Sequence, residues 1–390
     1  MDLFRRLRGR ARRVASLRRE VATLRAELES LRTETERRAQ ALEARIEQDL
    51  LPRAVHAVAE GMVRRTLPRG TPNLDPAHLA IREIPNLISN LKVLGTEQAE
   101  RLWQVAPMRD LPGTPTRMGL GGRLCQQADV ESPWLRYWLG QAQIQPMYHR
   151  KVWETGFVLQ ALWEGGAMRE GVEALGFAVG QEPIPAVLAS RGLRVLATDL
   201  SSQDPRAQVW RETQQNAAEL APLRRPGIIP DALFHERCAF REVDMTSIPT
   251  DLTGRFDVVW STCSLEHLGS IEAGLHFIEQ AMACLRPGGI AVHTTEYNAG
   301  SNEVTLDNWP TVLFRQRDIE EVARRLEAAG HEVLPLDFSP GTGILDGYVD
   351  LPPYGLAETF PRTASLPPHL RLSIDGFVAT SIGLIIRARR

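Results

Sequence analysis

Lysine is nearly missing from this chain: among 390 residues only Lys92 and Lys151 are lysines, against 44 arginines. No single site needs such a bias, so it reads as genomic base composition. Cysteine is scarce as well. Cys125, Cys238, Cys263 and Cys284 are too dispersed for a CxxC zinc site and too few for a disulfide framework, which agrees with a reducing compartment. No apolar run is long enough to cross a bilayer; the longest, Phe377 to Ile386, is interrupted by Thr380, Ser381 and Gly383. The opening MDLFRRLRGRARR has no apolar segment behind it of the kind a secretory signal carries, so a cytoplasmic location is expected. With 43% hydrophobic and 24% charged residues, the composition excludes a disordered or collagenous chain.

Charge is unevenly spread. The total is −2, but residues 1–19 hold eight arginines and one acid, a net +7 that leaves −9 on the rest. Leu3, Phe4 and Leu7 share one helical side of this basic tip, which suits either a solvated end or peripheral contact with an anionic membrane. Nucleic acid is a poor partner for a body of negative charge. Behind the tip, Val14, Leu17, Val21, Leu24, Leu28 and Leu31 follow the strict 3–4 spacing of a coiled-coil seam, which weakens at Thr35 and Arg38. A helix over 14–50 would be roughly 50 Å long at about 1.5 Å per residue. So narrow a stripe predicts a homo-oligomer, most simply a parallel dimer or trimer.

Proline and glycine mark loops at LPRGTPNLDP (67–76) and MRDLPGTPTRMGLGG (108–122), with one or two short helices between. Trp134, Tyr137, Trp138, Trp153 and Trp163 crowd residues 124–164, and we expect a helical cap there, packed on the next domain. From about residue 170 strands and helices alternate. VEALGF (172–177), LRVLAT (193–198), AFREV (239–243), FDVVW (256–260), GIAVHTT (289–295), HEVLPLD (331–337) and GFVATSIGLII (376–386) give seven strands of a mostly parallel, doubly wound α/β sheet. Between the last three, a helix is expected to start with Asp318 and Glu321 spaced as a capping box and to stop at Gly330. The organisation expected is therefore a basic tip and coiled-coil helix over 1–66, a loop-rich helical linker or cap over 67–148, and a catalytic domain over 149–390.

The chemistry is concentrated in ALGFAVGQEPIPAVLASRGLRVLATDL (174–200). A strand enters a turn with Gly176 and Gly180, a helix follows, and a second strand ends in Asp199. Glycines let the backbone approach a ligand, and an acid about 20 residues on can bind both hydroxyls of an adenosine ribose. A dinucleotide site would want glycine where Ala178 and Gln181 stand. The G-x-(G/A)-x-G spacing fits S-adenosylmethionine better, which has no pyrophosphate for a helix N-terminus to hold.

At these residues the chain resembles the class I S-adenosylmethionine-dependent methyltransferases, whose Rossmann-like fold matches the strand pattern. FREVDM offers Asp244 for the adenine amino group and Met245 for the ring; FDVVWSTCSLEHLGS (256–270) and ACLRPGGIAVHTTEYN (283–298) resemble the family's fourth and fifth strands. The resemblance implies that Gly176, Ala178 and Gly180 line the methionine part and that Ser261, at the end of the fourth strand, belongs to the cofactor site. The family usually has an acid two residues before the first glycine; here that place is Ala174, and Glu182 is the candidate to replace it. The long link 201–238, with Trp210, Arg211, Gln214, Gln215 and Asn216, is expected to cap the acceptor pocket. DLPPY (350–354) looks like a signature of base-amino methyltransferases but stands between the sixth and seventh strands, where a rigid turn is the simpler reading.

Methyl transfer from a sulfonium needs alignment, plus a base if the acceptor is a hydroxyl. His267, after the fourth strand, and Glu296, at the end of the fifth, are the candidates; the alternative for His267 is that it positions its loop. His267, His293, Glu296 and Asp346 have no diagnostic ligand spacing, so no metal is expected. The function expected is O-methylation of a sugar, glycan or other small metabolite, similar to bacterial enzymes of polysaccharide biosynthesis, at the cytoplasmic face of the membrane or in the cytoplasm. Two other readings stay open: an NAD-dependent oxidoreductase or epimerase, and a non-catalytic scaffold whose coiled coil is its working part.

Overall fold

The computed structural model describes residues 76–105, 111–213, 215–354 and 366–389. The basic tip, the coiled-coil segment 14–50 and Gln214 lie outside the described residues. The chain divides into two compact units, Met1–Pro85 and Asn86–Arg390. Of the first, the described part is the opening of helix α1 (Pro76–Val105). The second holds the sheet and reaches back beyond residue 149.

In that unit the elements run β1 (Gly122–Leu124), α2 (Gln127–Val130), α3 (Pro133–Ala142), α4 (Arg150–Glu164), β2 (Glu173–Phe177), α5 (Ile184–Ser190), β3 (Arg194–Asp199), α6 (Gln208–Glu212), α7 (Asp231–Arg237), β4 (Cys238–Glu242) and β5 (Phe256–Thr262). Then follow α8 (Ile271–Met282), β6 (Leu285–Asn298), α9 (Gln316–Ala328), β7 (Glu332–Val333), β8 (Leu336–Asp337), β9 (Leu372–Ile374) and β10 (Phe377–Arg387). The strands form one sheet ordered β4-β3-β2-β5-β6-β10-β1-β8, with β7 and β9 also paired to β10. The run β4 to β6 is parallel, and β10 is inserted antiparallel to β6.

Among the described residues the sheet has ten strands, not seven. Each of the seven expected segments carries a strand, but HEVLPLD splits into β7 and β8 because Leu334 and Pro335 interrupt the ladder, and β1 and β9 are three-residue strands too short to show a period. The helix expected from Asp318 starts at Gln316 instead. Asp318 sits in its first turn, where its Oδ2 accepts from Arg315 N at 2.9 Å, and the chain turns away at Gly330 with φ +88°.

β2, β5 and β6 are buried on both faces over most of their length, with apolar runs at Ala174–Phe177, Val258–Trp260 and Ile290–Val292 and buried polar residues toward the end of β6. Period two survives in how they divide between two cores. Val258, Trp260 and Val292 face the layer of α3, α4, α5 and α7, while Val259, Ala291 and Ile382 face that of α8 and α9. The aromatic segment expected to be a separate cap belongs to this architecture. Trp134, Trp138, Trp153 and Phe157 are fully buried in the first core, and a Cβ on Gly383 of β10 would lie 2.2 Å from the Phe157 ring, so glycine there lets α4 reach the sheet. A buried aromatic of this kind contributes about 1.5–3 kcal/mol.

DLPPY is a clamp. Asp350 Oδ1 is 2.5 Å from Lys92 Nζ on α1, and its Oδ2 is 2.8 Å from His369 Nδ1.

Candidate active site

Chain order runs β2, β3, β4 toward one edge, then returns through β5 and β6 to the other. The switch between β2 and β5 leaves a crevice at the C-terminal strand ends, the place where open α/β sheets take ligands. A cavity of about 950 Å³ opens there, walled by the turns after β2, β3, β4 and β5 and by the start of α4.

The turn after β2 has an unusual backbone. Ala178 holds φ +47° and Gly180 φ +51°, and Val179 N donates to Thr198 O at 3.0 Å. A left-handed alanine costs about 1–2 kcal/mol. A Cβ on Gly180 would stand 2.6 Å from Gln215 O, so the turn and the 201–238 link meet there without side-chain spacing. Both Ala178 and Gly180 line the cavity. Gly176 does not. It lies within β2, where a Cβ would come within 2.3 Å of the Trp260 ring, so its glycine serves packing.

Asp199 ends β3 at the cavity wall. Its Oδ1 accepts from Leu200 N and its Oδ2 from Ala217 N, both at 2.8 Å. Burial raises its pKa, and these N–H groups with that of Gly180 offset part of the rise. Asp244, after β4, accepts from Arg206 Nη2 at 2.6 Å and from Thr246 N and Oγ1 at 2.8 and 2.7 Å. Burial pushes this carboxyl up, but Arg206 and Thr246 outweigh it and hold its pKa below the usual value. Met245 lines the cavity beside it.

Glu182 lines the cavity as well. Its Oε1 accepts from Thr262 Oγ1, while Oε2 is buried without a protein partner. Burial raises its pKa to about 8 against the opposing effects of Thr262 and Lys151. Lys151, from the first turn of α4, lines the same wall, its Nζ 3.7 Å from Glu154 Oε2. Sequence reasoning passed over Lys151; its only signal was rarity.

His267 lines the cavity with its ring 5.1 Å from that of Trp210 in an edge contact. Its Nδ1 lies 3.1 Å from Pro310 O and 3.2 Å from Thr311 Oγ1. A carbonyl only accepts, so the hydrogen-bond pattern assigns the proton to Nδ1 and leaves the lone pair on Nε2.

Besides Gly176, two expected site residues are elsewhere. Ser261 is fully buried behind the wall, 2.8 Å from His293 Nδ1. Glu296 is also outside the cavity lining, and its role as base or acceptor contact is corrected: its Oε1 is paired with Arg150 Nη2 in the interior. The alternation along β6 is as expected, with His293 against Ser261 and Glu296 on the α4 side, but α4 covers that side. Cys263, Glu266 and Glu296 bring ligand-type atoms within 4.8 Å of one another. Arg150 stands among them, its Nη1 3.0 Å from Cys263 Sγ, and supplies the positive charge. The 201–238 link contributes Arg206, Trp210, Gln215 and Asn216 to the cavity wall.

A doubly wound sheet with paired acids at the ends of two neighbouring strands beside a tight turn defines a nucleoside-type site. Residues 175–293 match the family described as a methyltransferase domain. No curated protein matches the chain significantly. Among solved structures it is similar to the CurJ carbon methyltransferase, at 13% identity over 62% of this chain and 54% of that one, with a TM-score of 0.32. It is also similar to a Haemonchus contortus phosphoethanolamine N-methyltransferase (21% identity, 45% and 37% covered, TM-score 0.31) and to an S-adenosylmethionine-dependent methyltransferase of Mesorhizobium loti (16%, 58% and 97%, TM-score 0.33). The chain thus spans about half or less of the first two. Residues 175–293 therefore carry a methyltransferase domain. Among the described residues, no helix is long and apolar enough to cross a membrane.

Proposed function

We propose that this enzyme methylates a hydroxyl group of a sugar, glycan or other small metabolite, with His267 as the general base. The observation that supports it most directly is the His267 ring, held by the Pro310 carbonyl so that Nε2 is the free acceptor at the cavity. When bound, the cofactor supplies a methyl group activated by its sulfonium. Asp199 would hold the ribose hydroxyls of S-adenosylmethionine, Asp244 and Met245 would hold its adenine, and the turn from Ala178 to Gly180 would border its methionine part. Glu182 and Lys151 offer an anion and a cation on one wall, the complement of an α-ammonium and an α-carboxylate. The orphaned Oε2 of Glu182 is an acceptor still in want of a donor.

His267 Nε2 would take the acceptor's hydroxyl proton at the cavity, readying that oxygen for the methyl group that the cofactor would supply. Trp210 and Pro310 line the cavity beside His267, and the face of an aromatic ring such as Trp210 suits the C–H groups of a sugar. The homo-oligomer and the peripheral contact with anionic lipid expected from the N-terminal segment are part of the same proposal, placing the enzyme where glycans are assembled. Transfer of label from tritiated S-adenosylmethionine into a panel of sugars and glycans tests it. His267→Ala should lower turnover about 100-fold while binding of S-adenosylhomocysteine is unchanged. Unaltered turnover would remove His267 as the base, and transfer confined to amines would remove the hydroxyl acceptor.

A further inference from the structure

The second unit begins on α1, and that helix has two unlike sides. Lys92, Thr96 and Ala99 are buried, with Lys92 in its ion pair to Asp350. Leu87, Leu91 and Leu94, spaced by four and three, lie on the other side and are 57%, 52% and 62% exposed. In sequence, Ile84 extends the spacing back by a further three. Beyond the leucines charge returns, with Arg101 Nη2 3.5 Å from Glu97 Oε2. An aligned row of large aliphatic side chains, more than half exposed, is the kind of surface that marks an interaction site.

We propose that this row is an interface with a second copy of the same chain, the two α1 helices pairing through Leu87, Leu91 and Leu94. A 4–3 stripe is one side chain wide, so it matches another helix with the same stripe and suits neither a sheet nor a broad globular face. Self-pairing also meets no electrostatic penalty. From Ile84 to Thr96 the only charged residue is Lys92, and it is turned to its own unit. The sequence upstream supplies a way to bring two copies together. The seam from Val14 to Leu31 is expected to join protomers in parallel, and α1 begins at Pro76, so each joined chain would present its leucines to the other at high effective concentration.

The test is site-specific cross-linking of the full chain. All four native cysteines are buried, so a new surface thiol is read without interference. Leu91→Cys and Leu87→Cys, as separate variants under mild oxidation, should form a covalent dimer about tenfold faster than Gln104→Cys, which lies on the same helix away from the stripe. Equal rates at all three positions would overturn the proposal, with any dimer then held elsewhere. A wild-type chain that sediments as a monomer would overturn it too, as it would if the chain's own N-terminal segment covered the leucines.

Discussion

At the end of the cavity assigned to the adenosine, Asp199 and Asp244 already accept two and three hydrogen bonds from the protein. At the methionine end, among the described residues, Glu182 keeps one buried oxygen without a hydrogen-bond partner, and Lys151 Nζ lies 3.7 Å from Glu154 Oε2. The first pair is fixed before any ligand arrives, so a ligand meets it at little cost of reorganisation. The second pair is short of partners, and a zwitterion completes it. The difference suggests that the nucleoside end supplies orientation and the amino-acid end supplies discrimination.

The hardest test of that contrast is Asp199→Ala. It removes the acceptor of Leu200 N and Ala217 N as well as the proposed ribose contact, and calorimetry with S-adenosylhomocysteine should show a loss of about 100-fold or more. A smaller, more selective loss is expected for Glu182→Gln at pH 8.5. S-adenosylhomocysteine should weaken about tenfold or more, as for a charge-assisted hydrogen bond, while 5′-methylthioadenosine, which lacks the amino-acid group, binds as before. Equal loss for both ligands would abolish the division between the ends. Lys151→Met should behave likewise at about fivefold, since its side chain is 46% exposed and solvent screens part of its charge. The smallest effect concerns pH. With its carboxyl raised to about 8, Glu182 is protonated in the free enzyme at pH 6 and must ionise to take an ammonium, so affinity for S-adenosylhomocysteine should rise from pH 6 to 8. A flat titration curve would mean that Glu182 does not meet the ammonium.

The same contrast explains what could be read beforehand. Asp199 ends β3 at the spacing from the Ala178–Gly180 turn that a ribose-binding acid takes, so spacing alone points to it, whereas Asp244, just after β4, is pointed to by the family resemblance. Glu182 and Lys151 are thirty-one residues apart in the chain and share a wall only because α4 packs beside β5 and β6. No local period records that. Glu296 failed for a related reason: alternation says which side of β6 it takes, not that α4 lies over that side with Arg150. Seven strand segments were visible as apolar runs, whereas β1 and β9 owe their pairing to β10 and carry no pattern of their own. Gly176 was read as a ligand contact because a glycine gives the same letter whether a cofactor or the Trp260 ring stands close by.

The shortage of lysine has a practical outcome in this fold. Of the two amino side chains, Lys92 is 2% exposed in its ion pair, and Lys151 is 46% exposed at the cavity. An amine-directed acylating reagent therefore meets two well-separated reporters on one chain. Modification of Lys151 should slow when S-adenosylhomocysteine fills the cavity, and modification of Lys92 should track only the opening of α1 away from Asp350. Two masses in one digest would follow ligand occupancy and local unfolding independently, with no label introduced.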